Sequence, residues 1–134
     1  MLSITGMIAA FEGMVMGAKA GLDPRTMLEI INVSTGRNSA TLEKIPQRIL
    51  PRTFGGHIST GVKDLGLYIS ESAELEVPVW MATRALEVFQ ESIGHGFDKE
   101  TMRIIQFMEE LAGGVEVKDP DAAGPATPAD GGKR

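Results

Sequence analysis

Apolar residues recur along this chain at helical spacing, and proline, glycine and aspartate punctuate the recurrences. Leu2 to Lys19 is free of proline and reads as one long helix, stopped by a C-terminal cap at Gly21. Asp23-Pro24 is a start signal, with Asp as N-cap and Pro at the first helical position. Met27, Leu28, Ile30 and Ile31 then form the apolar face of a second helix, which runs into the turn Ser34-Thr35-Gly36. In that turn Gly36 is the expected C-cap, and the polar residues after it should cap the next helix. That third, short helix is expected from Ser39 to Ile45, kinked or restarted at Pro46 and ended by Pro51, because proline lacks the N–H and crowds the preceding turn.

Phe54 to Ser59, centred on Gly55-Gly56, reads as a loop. Thr60 is the expected N-cap of a fourth helix to Leu75, with Val62, Leu65, Tyr68, Ile69 and Ala73 along its stripe. Pro78 opens a fifth, carrying Val79, Ala82, Leu86, Phe89 and Ile93, and Gly94 closes it. Asp98 is the expected cap of a sixth, whose core face is Met102, Ile105, Met108 and Leu111 and which ends at Gly113-Gly114. Val115-Glu116-Val117 is too short to carry a sheet. The expected fold is therefore all-α: a bundle-like domain of six helices over residues 1–117, with a long first helix. From Lys118 to Arg134 the composition offers no large apolar residue to offset ordering entropy, so residues 118–134 are expected to be a disordered tail.

Gly6, Gly13 and Gly17 sit inside the first helix, each at a cost of about 1 kcal/mol relative to Ala. Either tight packing within the domain or a subunit or interdomain interface explains them. The beginning of the chain is apolar, and Ala18-Lys19-Ala20 resembles a signal-peptidase site. No positive segment precedes the apolar run, however, and Glu12 lies inside it, so a buried helix is the better reading. A membrane span would need about 20 mainly apolar residues without such a charge.

The 134 residues suit one domain with a single core, mostly aliphatic and Met, since aromatics are only 5%. A net charge of −5 argues against nucleic-acid binding, which needs a basic footprint. The absence of cysteine removes disulfides, thiol catalysis and cysteine-based metal sites, and fits a cytoplasmic protein. His57 and His95 share no helix and have no carboxylate at ligand spacing, so no metal site is expected. No Walker motif and no Gly-x-Gly-x-x-Gly loop is present to cradle a nucleotide phosphate.

Two polar spots remain. With Thr60 as N-cap, Lys63 and Asp64 fall in a first helical turn. Asp64 is favoured there by the helix dipole and Lys63 is not. Lys63 is then either a solvated lysine that tolerates the dipole, or part of an anion site in which backbone N–H groups and one ammonium hold a carboxylate or phosphate. The Gly-rich loop before it would let a ligand approach closely. The second spot, Ser34-Thr35-Gly36-Arg37-Asn38, reads mainly as turn and cap, with Arg37 available to an acid or anion.

Asn32 through Thr41, Ile45-Pro46-Gln47-Arg48 and Lys63-Asp64-Leu65 together resemble the C-terminal domain of β-hydroxyacid dehydrogenases. The nearest subgroup is that of 3-hydroxyisobutyrate dehydrogenase and tartronate semialdehyde reductase. Ala18, Gly21-Leu22-Asp23 and Val77-Pro78 occur in the same order, and the resemblance covers residues 1–117. It implies a partner Rossmann domain that binds NAD or NADP, absent from this chain, and a helical domain that closes the cleft over a small hydroxyacid. It implies no catalytic residue within the chain. The general acid–base lysine belongs to a Gly-x-x-x-Lys-x-x-Asn-Asn segment expected upstream of Met1. Lys63 inherits a cofactor- or substrate-binding role, Asp64 an orienting one, and Phe54 a place at the substrate. The loop between Phe54 and Lys63 is shorter than in that pattern, with His57 near where a second aromatic would stand.

On this reading the chain is the substrate and oligomerisation domain of an NAD(P)-dependent dehydrogenase, inactive alone and exposing an apolar patch where partners would cover it. It should form a homo-oligomer. The competing reading is a non-catalytic helical dimerisation module of the same ancestry.

Overall fold

The computed structural model describes residues 1–121. Within them the helices are α1 (Leu2–Lys19), α2 (Pro24–Asn32), a π-helix (Ala40–Ile49), α3 (Ile58–Glu74), α4 (Trp80–Gly94) and α5 (Ile104–Leu111), the last preceded by a 3₁₀ turn, Thr101–Arg103. Among the described residues the sole β-type pairing is an isolated antiparallel bridge between His57 and Glu100. The all-α expectation holds.

α1 lies at the centre. It packs against α2, the π-helix, α4 and α5, while α3 and α4 form an antiparallel hairpin beside it. Met7, Ile8, Phe11, Met14 and Val15 form its buried stripe. Each such side chain contributes about 1.5–3 kcal/mol on burial. Of its three glycines, Gly6 accepts a hydrogen bond on its carbonyl from Asn38 Nδ2 (3.2 Å), Gly17 lies under the Met27 thioether, and Gly13 faces open space. Packing within the domain thus accounts for two of them.

The start of α2 is as the local chemistry dictates. Asp23 accepts from the Thr26 backbone N–H at 2.8 Å, and that bond holds its carboxyl below the usual aspartate range. Leu28 is the buried residue of this helix, and Ile30 is exposed.

The third helix differs from expectation. It ends at Ile49, before Pro51 as expected, but it passes through Pro46 without a break, as a π-helix. Its bonds span five residues, as in Leu50 N–H to the Ile45 carbonyl (2.9 Å). The missing N–H of Pro46 would have served the Thr41 carbonyl. Asn32 Nδ2 donates to that carbonyl instead, at 3.1 Å. A side chain from another helix thus repairs the defect that proline makes in the ladder. At the entrance Asn38 does the capping, as the polar turn leads one to expect: its Oδ1 accepts from the Ala40 and Thr41 N–H groups at 2.8 and 3.2 Å, while α2 is capped at Val33 and not at Gly36.

Two further corrections concern helix starts. α3 begins at Ile58, with His57 as its N-cap residue, so Thr60 lies within the first turn. The cause is tertiary: Ile58 N–H donates to the Lys99 carbonyl (3.0 Å), while Thr101 and Met102 N–H groups donate to the Gly56 and Gly55 carbonyls (3.2 and 3.0 Å). This stitching orders a segment that reads as loop. Likewise Asp98 does not cap the last helix, which begins as the 3₁₀ turn after Glu100. Its buried face is Ile104, Ile105, Phe107 and Glu109, and Leu111 is exposed.

Glu109 is a buried carboxylate the hydrophobic pattern did not foretell. It takes a bidentate pair from Arg52 (2.7 and 3.0 Å) and the Val117 backbone N–H (2.7 Å). The pair pins the chain after α5 onto the domain, with Val117 fully buried. Of the expected tail, residues 118–121 are described, and Asp119 N–H donates there to the Leu50 carbonyl (3.1 Å). The expectation for the remainder of the tail lies outside the described residues. No described helix is long and apolar enough to cross a membrane.

This packing has two measurable consequences. Glu109→Ala leaves the largely buried Arg52 charge with only the exposed Glu116 carboxylate at 4.0 Å and should cost about 3 kcal/mol of unfolding free energy in urea titration. A methyl group at Gly61 would fall 2.3 Å from the fully buried Phe89 ring, whereas at Gly17 it meets the flexible end of Met27. Gly61→Ala should therefore destabilise by about 1 kcal/mol net, overpacking outweighing the gain in helix propensity, while Gly17→Ala should not destabilise. Equal melting temperatures for the two variants would contradict this assignment.

Candidate functional site

The stitched segment that starts α3 also builds one wall of a cleft. Gly55 and Gly56 adopt left-handed φ values of 131° and 78°, which bend the chain so that Gly56, His57 and Thr60 line the opening. α1 contributes Ile4 and Met7, the π-helix Lys44, and the second turn of α3 Asp64. The cleft has a volume of about 380 Å³ and opens to solvent beside the first turn of α1.

The three residues expected at the site do not converge. Asp64 faces the cleft. Lys63 does not line it; its side chain is 75% exposed and its ammonium lies 3.4 Å from Asp64. Because α3 begins at Ile58, Lys63 and Asp64 stand beyond the free N–H groups of the first turn. The anion site made from a helix N-terminus plus Lys63 is thereby corrected: the dipole and the unpaired amides act about one turn away. What remains is an exposed ammonium tethered by its neighbouring carboxylate, free to reach toward a ligand.

Phe54 turns away from the cleft. It has a left-handed φ of 41° and is buried, its ring under the guanidinium carbons of Arg52 at 5.0 Å and Arg103 at 4.7 Å. In this arrangement it supports the loop between the π-helix and α3. His57 lines the cleft, while His95 lies at the far end of α4 with its ring 5.0 Å from that of Phe107. Arg37 is exposed. Among the described residues no group of three His, Cys, Asp or Glu could hold a metal ion.

Lys44 is the residue that reading the sequence missed. It borders both this cleft and a more polar groove that runs along Glu43, Gln47 and Arg48. Its Nζ donates to Ser3 Oγ at 2.9 Å. Partial burial holds its ammonium below the usual lysine pKa, and the adjacent Glu43 opposes that shift. In sequence it is one charged residue among several on a short helix, and only the meeting of α1 with the π-helix distinguishes it.

Comparison with known proteins places this arrangement. Residues 1–108 match the family described as NAD-binding of NADP-dependent 3-hydroxyisobutyrate dehydrogenase. The 2-(hydroxymethyl)glutarate dehydrogenase of Eubacterium barkeri is 34% identical over 110 residues, covering 80% of this chain and 36% of the relative. The mitochondrial 3-hydroxyisobutyrate dehydrogenase of Mus musculus is 28% identical over 119 residues, covering 82% of this chain and 36% of the relative. A crystal structure of 3-hydroxyisobutyrate dehydrogenase from Salmonella typhimurium superimposes with a TM-score of 0.70 at 27% identity, covering 80% of this chain and 38% of that one. The chain thus spans little more than a third of the length of the relatives it matches. The all-helical fold agrees with this match, and the chain belongs to the 3-hydroxyisobutyrate dehydrogenase family through that family's all-helical domain.

Proposed function

We propose that this chain is the C-terminal, cleft-closing and oligomerising domain of an NAD(P)-dependent oxidoreductase that interconverts a small 3-hydroxyacid and its semialdehyde. The observation that supports the reading is the match of residues 1–108 to the helical domain of these dehydrogenases, with an open cleft at the start of α1. Bound NAD or NADP would supply or accept the hydride at the alcohol carbon.

The described residues fit a contact at the cofactor's edge and not a nucleotide cradle. They include an exposed ammonium paired with the cleft residue Asp64 but no strand leading into a phosphate-gripping loop. In this reading Lys63 binds an anionic or hydroxyl group of the cofactor or substrate and Asp64 orients it. The stem of α1 and the Gly55–Thr60 segment shield the reacting atoms from water. The general acid–base lysine comes from a segment outside these residues, and the Rossmann half comes with it. The chain by itself accordingly should not turn over substrate.

Leu2 and Met16 on α1, and Leu75, Val77, Trp80 and Met81 around the α3–α4 turn, are exposed large apolar residues. They favour covered surfaces in the assembled protein, and they equally suit the alternative of a helical dimerisation module without catalysis.

The test joins the chain to the N-terminal half of the Eubacterium barkeri relative and monitors NAD(P)H oxidation by a 3-hydroxyacid semialdehyde. The chimera should turn over and the isolated chain should not. Lys63→Ala should raise the KM for cofactor or substrate roughly tenfold, equivalent to losing one charge-assisted contact, with stability unchanged. An inactive chimera that nevertheless assembles as a stable dimer would favour the module.

A further inference from the structure

We propose that residues 115–119 form a releasable strap that holds the cleft wall in shape, so that freeing the strap loosens the wall while the helical core stays folded. The coupling is a property of the fold and stands apart from the dehydrogenase reading.

The strap lies beyond residues 1–108, the part of the chain that matches the family. It hangs from two consecutive glycines, Gly113 and Gly114, with left-handed φ values of 88° and 83°. That pair turns the chain from the end of α5 toward the end of the π-helix, where the Asp119 N–H donates to the Leu50 carbonyl (3.1 Å). Val117 is fully buried and Val115 half-buried. The outer end is tied by an ion pair between Asp119 and the exposed Arg25. A segment held by so little apolar surface opens at lower free-energy cost than the helices it crosses.

Arg52 connects the strap to the cleft. Its guanidinium pairs with Glu109, and Glu109 also accepts the Val117 N–H. The strap adds the Val117 carbonyl at 3.4 Å and the Glu116 carboxylate at 4.0 Å. The same guanidinium lies over the Phe54 ring, which Arg103 also covers. Arg103 is in turn tied to Glu100, and Glu100 is bridged to His57.

Arg52 and Phe54 both carry left-handed φ values, 58° and 41°. Residues other than glycine keep that conformation where surrounding contacts impose it. Here those contacts come from the strap on one side and from the 3₁₀ turn on the other. Gly55 and Gly56 follow directly, then His57, which lines the cleft. Releasing the strap removes the Val117 and Glu116 contacts from Arg52. It also opens the Arg52–Glu109 pair to water, where such a pair contributes little. The turn at residues 52–54 then loses half of what imposes it. Whatever captures residues 115–119 thereby acts on the cleft without touching it.

The test is native-state hydrogen exchange, followed by NMR on the 134-residue chain and on its Val117→Asp variant. The Phe54, Ile58, Thr101 and Met102 amides are hydrogen-bonded in and beside the wall. In Val117→Asp they should exchange faster by roughly tenfold or more beyond any change at Met14 and Val15 of α1. Val117→Ala releases the strap more gently and should give the same order with smaller factors, which decides the matter if the Asp variant does not fold. Arg52→Lys keeps the charge and loses the planar fork. It should speed exchange at the wall by itself, and adding Val117→Ala should then change the wall little.

Acceleration confined to the strap's own Val117 and Asp119 amides would overturn the proposal, because the segment would then be terminal packing alone. Equal acceleration at the wall and in α1 would also overturn it, as the mark of a uniform loss of stability. Additive effects of Arg52→Lys and Val117→Ala at the wall would overturn the route through Arg52.

Discussion

Burial of one stripe of α1 is the constraint on which the domain depends. Met7, Phe11 and Met14 are wholly enclosed, and the elements that enclose them come from α2, the π-helix, α4 and α5. Such a stripe cannot be stable alone, since an isolated helix in water gains too little to offset its ordering. The surrounding helices therefore fold onto α1 as a unit, and their ends are placed by what reaches it. The cleft is a product of the same packing. It lies where the first turn of α1, the π-helix and the start of α3 converge, and none of the three could form it separately.

Around that core, polar groups repair what the local sequence leaves unsatisfied. Asn32 supplies a donor to the Thr41 carbonyl, Asn38 caps the π-helix while tying it to Gly6, and Glu109 neutralises Arg52 while catching Val117. Each joins segments distant in sequence. Buried polar groups of this kind give little net stability when satisfied and cost much when one partner is removed. They act chiefly to select this packing over alternatives.

Much of the fold was legible in short-range chemistry. Leu2–Lys19 and the Asp23-Pro24 start appear where composition puts them, because proline, glycine and a capping carboxylate act over a few residues. The Lys63–Asp64 pair was legible as a motif, and of the two Asp64 lines the cleft while Lys63 is exposed beside it. Its supposed helix-terminus setting was not legible, because the start of α3 depends on backbone bonds from residues 99–102. Phe54 was legible as an aromatic in the right loop, but its direction depends on two arginines far apart in sequence.

The sequence by itself determined the all-helical class, the order of its helices and the family, since periodicity, punctuation and a local motif all operate within one or two turns of chain. Tertiary structure alone decided how the chain passes through Pro46, where α3 begins, that Glu109 goes inside and that Lys44 meets the cleft. Each of these is the satisfaction of a donor, an acceptor or a charge by a partner from another segment of the chain, and no local pattern encodes which partner arrives.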